Sequence, residues 1–316
     1  MLNTDLLRLI NTPEEHIPQI TEYETQFGEA VERLAQEYLF AGTLPACTPY
    51  IDDDQRMAAY YLAEDYTKRA GALGSTPAED HMLQYLFWLH CVPYAQKFYT
   101  MLGIDESVFR ASMGDLNYKT RECLKVKGHL GVFTNWFFLF FDMKLFALGR
   151  LEYELSRYPY DAYTAGGYTL QKGDTVYSCH IPSSGPLKPE LVLDSLRKAY
   201  AFFKKDLPGT VLPVITHTWL LYPPYQGVTF PEGSNIAKFA SLFDIISVDT
   251  TPDFKNCWNV FDMDYPGSTK GLPADTGMRQ RFIDYINGGG SFGSAYGVLL
   301  YDGEKDTILN RPDFSF

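Results

Sequence analysis

The chain has 316 residues, a formal net charge of −12 and an isoelectric point near 4.9. That balance argues against a nucleic acid or an anionic membrane surface as partner. No apolar run is long enough to span a bilayer; the most apolar segment, 136–141, stops at Asp142. With 46% hydrophobic and 21% charged residues the composition is that of a soluble globular chain, long enough for two domains.

The acidic excess is uneven. Residues 1–125 hold 19 acidic and 10 basic side chains, and residues 126–316 hold 20 and 17. The second part is therefore the better place for an anionic ligand. Five cysteines are scattered with no Cys-x-x-Cys spacing, so reduced thiols are expected, with neither a zinc site nor any other metal. The N-terminal sequence lacks a signal-peptide pattern, which predicts a cytoplasmic protein.

Residues 1–125 read as helical. Thr12-Pro13-Glu14-Glu15 and Thr76-Pro77-Ala78-Glu79 both fit a capping box with proline at the first helical position. Phe27, Val31, Leu34 and Tyr38 share a helix face, and Asp52-Asp53-Asp54 opens a helix that runs toward Gly71. Residues 79–91 form a very apolar helix, after which Pro93 predicts a break and a new start. Residues 105–125 complete the helical part.

From about Gly128 aromatic and β-branched residues rise and turn signals become frequent, which predicts strands mixed with helices. Strands are expected over 145–153, 167–171 and 175–181, with Lys172-Gly173-Asp174 as a hairpin turn. A helix striped by Leu193, Leu196, Tyr200 and Phe203 follows, then a strand over 211–221 and a helix opened at Ser234-Asn235. Further strands are expected near 245–248, 257–263 and 297–301, with a helix over 278–286. The Gly288-Gly289-Gly290 stretch precedes a strand and lacks the Lys-Ser/Thr of a nucleotide-binding loop, so it reads as a flexible connection.

The strand, tight loop, helix, strand order over 176–221 is the most informative feature. A loop feeding a helix N-terminus presents free N–H groups and a partial positive charge, which suits a phosphate. Here the loop is Ser183-Ser184-Gly185-Pro186-Leu187, with Pro189 at the first helical position and Lys188 at the cap. Lysine is a poor cap, and a bound anion would relieve it. His180 and His217 lie near the ends of the two flanking strands and are candidate general bases. Glu152 and Glu154 share one face of a strand, where Glu152 is a third candidate base. Cys179 points away from His180, so that pair is no nucleophilic dyad, and no nucleophile-elbow pattern surrounds Ser178 or Ser183. His81 and His90, nine residues apart on one helix, cannot share a metal.

Several phrases resemble one bacterial family. They are His180-Ile181-Pro182-Ser183-Ser184-Gly185-Pro186-Leu187, Asp194-Ser195-Leu196, Thr218-Trp219-Leu220-Leu221, Ser234-Asn235-Ile236, and Leu148-Gly149-Arg150-Leu151-Glu152-Tyr153-Glu154. Together they resemble the GNAT-like C-terminal acyltransferase domain that follows a helical N-acyltransferase N-terminal domain. The resemblance implies an α+β fold, with an all-helical domain over 1–125 followed by a GNAT-like mixed β-sheet domain flanked by helices over 126–316. It implies acyl-CoA or CoA as donor substrate and a small-molecule amine as acceptor. Ser183, Ser184, Gly185, Leu187 and Lys188 would hold the pyrophosphate. Oligomer formation is compatible with the helical part. Typical GNAT loops carry more glycines than the single Gly185 here, so a non-catalytic ligand-binding or regulatory module on a degenerate GNAT scaffold is the alternative.

Overall fold

The computed structural model of the protein describes residues 2–42 and 45–312. The chain forms two compact units, one through Leu148 and the other from Gly149 on.

The first unit is helical apart from its last strand. It comprises α1 (Thr4–Leu9), α2 (Ile17–Ala41), α3 (Asp53–Gly71), α4 (Pro77–Met101), α5 (Glu106–Met113), α6 (Asp115–Lys127), α7 (Phe138–Phe141) and β1 (Leu145–Leu148). Along α2 the buried positions are Ile17, Ile20, Glu24, Gly28, Val31, Ala35 and Tyr38, an alternation of three and four residues that lays one stripe against the core. Phe27 and Leu34 flank that stripe half-buried. Asp52 caps α3 by accepting from the Gln55 N–H. Thr76 and Glu79 form a reciprocal capping box at the start of α4.

Two sequence expectations fail here. Thr12 builds no capping box: residues 14–16 form a short 3-10 turn and α2 begins only at Ile17. Nor does Pro93 end a helix, since α4 continues through it to Met101. Proline inside a helix removes one ladder bond and costs about 3 kcal/mol. Against that, every residue from Met82 to Val92 except the half-buried Gln84 is buried. Trp88 stacks on Phe141 at 5.2 Å, and Phe87 packs on Tyr38 at 5.5 Å. Burial at roughly 1.5–3 kcal/mol per large apolar side chain outweighs one lost bond.

The second unit holds a mixed sheet of β2 (Leu151–Arg157), β5 (Thr175–His180), β6 (Val211–Thr218), β8 (Phe292–Asp302) and β7 (Asp244–Thr251), in that order, with β9 (Thr307–Ile308) also on β8. β3 (Tyr163–Ala165) and β4 (Tyr168–Leu170) form a separate hairpin. The helices are α8 (Pro189–Phe203), α9 (Asn235–Ala240), α10 (Cys257–Phe261) and α11 (Gly277–Asn287). All neighbours in the sheet run antiparallel except β5 and β6, the parallel pair that α8 connects.

Each face of the sheet has its own cover. On one side α8 packs its Val192, Leu196, Ala199 and Phe203 stripe, with Tyr177 4.3 Å from Phe203. On the other, Val176, Ile215, Tyr296, Val298 and Leu300 share a core cluster with Tyr158 and Leu170, and Tyr163, Ala165 and Tyr168 of the β3–β4 hairpin pack on it.

Three further expectations are corrected. The strand expected over 145–153 is two strands, broken at Gly149 in the left-handed region (φ 84°), where a Cβ would sit 3.2 Å from the Ser195 Cα. The Lys172–Asp174 segment is a turn, but it joins β4 to β5, which pair with different partners. Residues 257–261 are helical, with Cys257, Val260 and Phe261 buried at helical spacing and Asp262 in a left-handed cap.

Candidate functional site

The sheet register brings the candidate bases to one level. Glu152 pairs with His180 across β2 and β5, and Glu154 pairs with Ser178. β5 and β6 pair at Tyr177–Val214 and Ser178–Ile215. Two residues further on, His180 and His217 fall at the same height on the same face. His217 pairs with Tyr296 of β8, and Tyr296 with Ser247 of β7. A row of polar and ionisable residues thus crosses the sheet at the C-terminal end of its parallel pair.

The parallel pair parts at this end. Beyond Ser178 and Ile215 the backbone ladder gives way to a side-chain bridge, the Thr216 hydroxyl donating to the Cys179 carbonyl at 2.9 Å. A parallel pair that separates at its C-terminal end is where an open sheet can admit a ligand between strands.

The two histidines are oriented differently. His180 Nε2 lies 2.8 Å from Glu154 Oε2, and the Glu154 carboxylate is buried while the histidine is about one third exposed. An ionised carboxylate only accepts, so Nε2 carries the proton and Nδ1 keeps the basic lone pair. His217 Nε2 lies 2.8 Å from the Ser294 hydroxyl and 3.0 Å from Asp249 Oδ2. Both partners meet the same nitrogen, so this is no serine–histidine–aspartate relay, which needs one partner on each ring nitrogen. Half or more of each side chain of the His217–Asp249 pair is exposed, and exposed ion pairs contribute only about 0–1 kcal/mol. The buried Glu154 is the firmer anchor. Glu152 is buried in the row beside His180. The Tyr296 hydroxyl is buried with no hydrogen-bond partner among the described residues, and burial pushes its pKa up, so the phenol stays protonated.

The loop before α8 has an unusual support. Arg150, itself buried, donates from Nη2 to the Gly185 carbonyl at 2.6 Å and from Nε to the Pro186 carbonyl at 3.2 Å. In a trans peptide the N–H points opposite to the C=O, so the Leu187 N–H faces away from Arg150. Gly185 lies at φ 129°, a region open to glycine. Lys188 is the N-cap of α8 and makes no side-chain cap bond. Leu191 and Val192 donate back to the Lys188 carbonyl, and among the described residues the Leu187, Lys188 and Glu190 amides meet no backbone acceptor, as expected of a helix N-terminus. The Ser184 hydroxyl is buried without a partner among the described residues.

Family models match both parts of the chain. Residues 1–143 match an N-acyltransferase N-terminal domain, and residues 145–299 match a GNAT-like C-terminal domain. The chain belongs to this two-domain acyltransferase family. No curated protein matches it. Among solved structures, an acyltransferase in complex with decanoyl-CoA and teicoplanin is similar at 20% identity and a TM-score of 0.61, over 97% of this chain and 87% of that one. An acyltransferase mutant in complex with octanoyl-CoA is similar at 21% identity and 0.61, over 93% and 86%. An acyltransferase in complex with CoA and 10C-teicoplanin is similar at 19% and 0.58, over 94% and 99%. At these identities the likeness is one of fold, and the fold is the α+β arrangement that the sequence predicts.

In this family member the sequence candidates fall into two groups. Glu152, His180 and His217 come together in the row across the sheet; Ser183, Ser184, Gly185, Leu187 and Lys188 form the loop on the same β5–α8 connection. Sequence reasoning noted Glu154 but gave it no role, and it missed Asp249, Ser294 and Tyr296. Glu154 was within reach, since it shares a strand face with Glu152. The other three depend on how β8 pairs with β6 and β7 with β8, which no local pattern encodes.

Proposed function

We propose that the protein is an acyl-CoA-dependent N-acyltransferase that moves an acyl group from a CoA thioester to an acceptor amine in the cytoplasm. The observation that carries this reading is the His180–Glu154 pair at the end of the parted β5–β6 pair. Glu154 fixes the tautomer, and His180 Nδ1 takes the proton from the amine as its nitrogen attacks the thioester carbonyl. The tetrahedral intermediate then loses the C–S bond, and the CoA thiolate leaves with a proton. Backbone N–H groups at the parting would stabilise the oxyanion. His217 lines the acceptor side, and the unpartnered Tyr296 hydroxyl offers a donor to a polar group there.

The donor pyrophosphate would lie on the Ser183–Lys188 loop, against the Leu187 and Lys188 amides, the Ser184 hydroxyl and the Lys188 ammonium. The octanoyl- and decanoyl-CoA held by two similar acyltransferases make a medium-chain acyl-CoA the first donor to try. The test is CoA release from octanoyl-CoA with a panel of amines, the acylated product identified by mass. Acyl transfer to at least one amine, lost in His180→Gln, supports the proposal. Binding of octanoyl-CoA with no transfer to any amine points to the alternative of a ligand-binding module, which the single glycine of the loop favours.

A further inference from the structure

The helical unit contains a cluster that the acyl-transfer reading does not use. His81 on α4, Cys123 on α6 and His129 just after α6 place their Nδ1 or Nε2 and Sγ atoms within 4.8 Å of one another. We propose that His81, Cys123 and His129 form a binding site for a thiophilic divalent cation, with zinc the best match, and that solvent fills its fourth position.

The chemistry of the donor set points to such an ion. Two imidazoles and one thiolate suit zinc and its neighbours, and three protein ligands plus water is the pattern of an open zinc site. His81 Nδ1 and His129 Nε2 face each other at 2.8 Å with their rings stacked at 5.1 Å. Two neutral imidazoles in that geometry share one proton, and a cation would replace it. Tetrahedral zinc holds its nitrogen and sulfur ligands about 3.3–3.6 Å apart, as its ~2.0–2.3 Å bond lengths require. The observed separations start at 2.8 Å and stay within 4.8 Å, so small side-chain rotations reach that geometry. Both histidines are half-buried, which leaves a route to solvent, while Cys123 is fully buried.

The backbone holds the cluster in place independently of any ion. Gly128 ends α6 in a left-handed cap at φ 78°. The Val132 N–H donates to the His81 carbonyl at 3.0 Å. Gly131, at φ 150°, passes so close that a Cβ there would lie 2.5 Å from the His81 carbonyl carbon and 2.7 Å from its Cβ. The loop bearing His129 is therefore strapped to the helix turn bearing His81. Around the cluster, Asp80 acts on His81 as a negative charge and Lys127 as a positive one, with Lys127 stacked over Phe133 at 5.5 Å. Burial pushes the Cys123 thiol up to about 11, against the Lys127 charge. Such a thiol is inert by itself, and a bound cation would deprotonate it.

Sequence spacing hides this site, because its ligands lie 42 and 6 residues apart. The proposal stands apart from acyl transfer, and its test reads the metal directly. The full chain, made without a polyhistidine tag and stripped with a chelator, is titrated with cobalt(II) and then zinc. One equivalent of cobalt should bind with a thiolate charge-transfer band and tetrahedral ligand-field bands, and zinc should displace it. Cys123→Ser should abolish the charge-transfer band and His129→Gln should weaken cobalt at least tenfold, each with an unchanged circular dichroism spectrum, while Cys257→Ser should change nothing. If Cys123→Ser fails to fold, the His129→Gln titration decides alone. Absence of stoichiometric cobalt binding, a band that persists in Cys123→Ser, or unweakened binding in a folded His129→Gln would overturn the proposal.

Discussion

Among the residues, Glu154 has the most specific role. Its carboxylate is buried and meets His180 at 2.8 Å, so it sets which imidazole nitrogen is basic. Glu154→Gln can present its amide N–H to Nε2 and invert the tautomer. Steady-state kinetics should then show kcat down by about 10²–10⁴-fold with little change in KM, the range for loss of general base catalysis. His217→Gln should cost much less, because its carboxylate partner is exposed. The His180 position was legible because strand alternation alone sets its face. The anchor on His217 was not, since Asp249 lies on a strand two places away in the sheet.

A second prediction at this scale concerns acid stability. Burial pushes His90 below its ordinary value of 6.5, although Glu24 at 2.8 Å pulls the other way. As pH falls below 6.5 the unfolded chain takes up the proton first, so this contribution to stability is present above 6.5 and lost below it. Thermal melts across that range should show a shallower acid-side decline in His90→Gln than in the parent. An unchanged slope would mean that the pairing with Glu24 cancels burial, and a steeper decline in His90→Gln that it outweighs burial.

Among the elements, the helix starts at Asp52 and Thr76 were legible because capping is local chemistry, while the same pattern at Thr12 built no cap. Thr76→Ala should cost about 0.5–2 kcal/mol of unfolding free energy in a denaturant titration. Pro93 was misjudged for the opposite reason: tertiary burial carries α4 through a residue that local rules place at a helix boundary. Pro93→Ala restores the missing N–H and should stabilise the protein by about 1–3 kcal/mol, which a rise in Tm would confirm. Residues 257–261 were misjudged because five residues, three of them aromatic or β-branched (Trp258, Val260 and Phe261), carry too little periodicity to separate a short helix from a strand. Thr216 ties the two parting strands together. Thr216→Val strands the buried Cys179 carbonyl and should cost about 1–3 kcal/mol, with weaker donor binding beside it.

At the scale of the whole molecule, the helical part and the mixed sheet were both legible. Their hydrophobic periods differ, 3.6 against 2, and the composition changes near residue 128. Strand order was not legible from local pattern, and only the folded sheet gives it. The pairing of β8 with both β6 and β7 brings Tyr296, Ser294 and Asp249 to His217 from far along the chain. The metal cluster escaped for the same reason, since it exists only once α4, α6 and the following loop have packed.

The account rests on a donor held by the loop before α8 and presented to His180. The most direct measurement is calorimetric titration of octanoyl-CoA into the parent protein and into Lys188→Glu. The account predicts one-site binding by the parent and at least tenfold weaker binding by Lys188→Glu, whose exposed side chain leaves the fold intact. No heat of binding with the parent at high ligand concentration, or equal affinity in the two proteins, would contradict it.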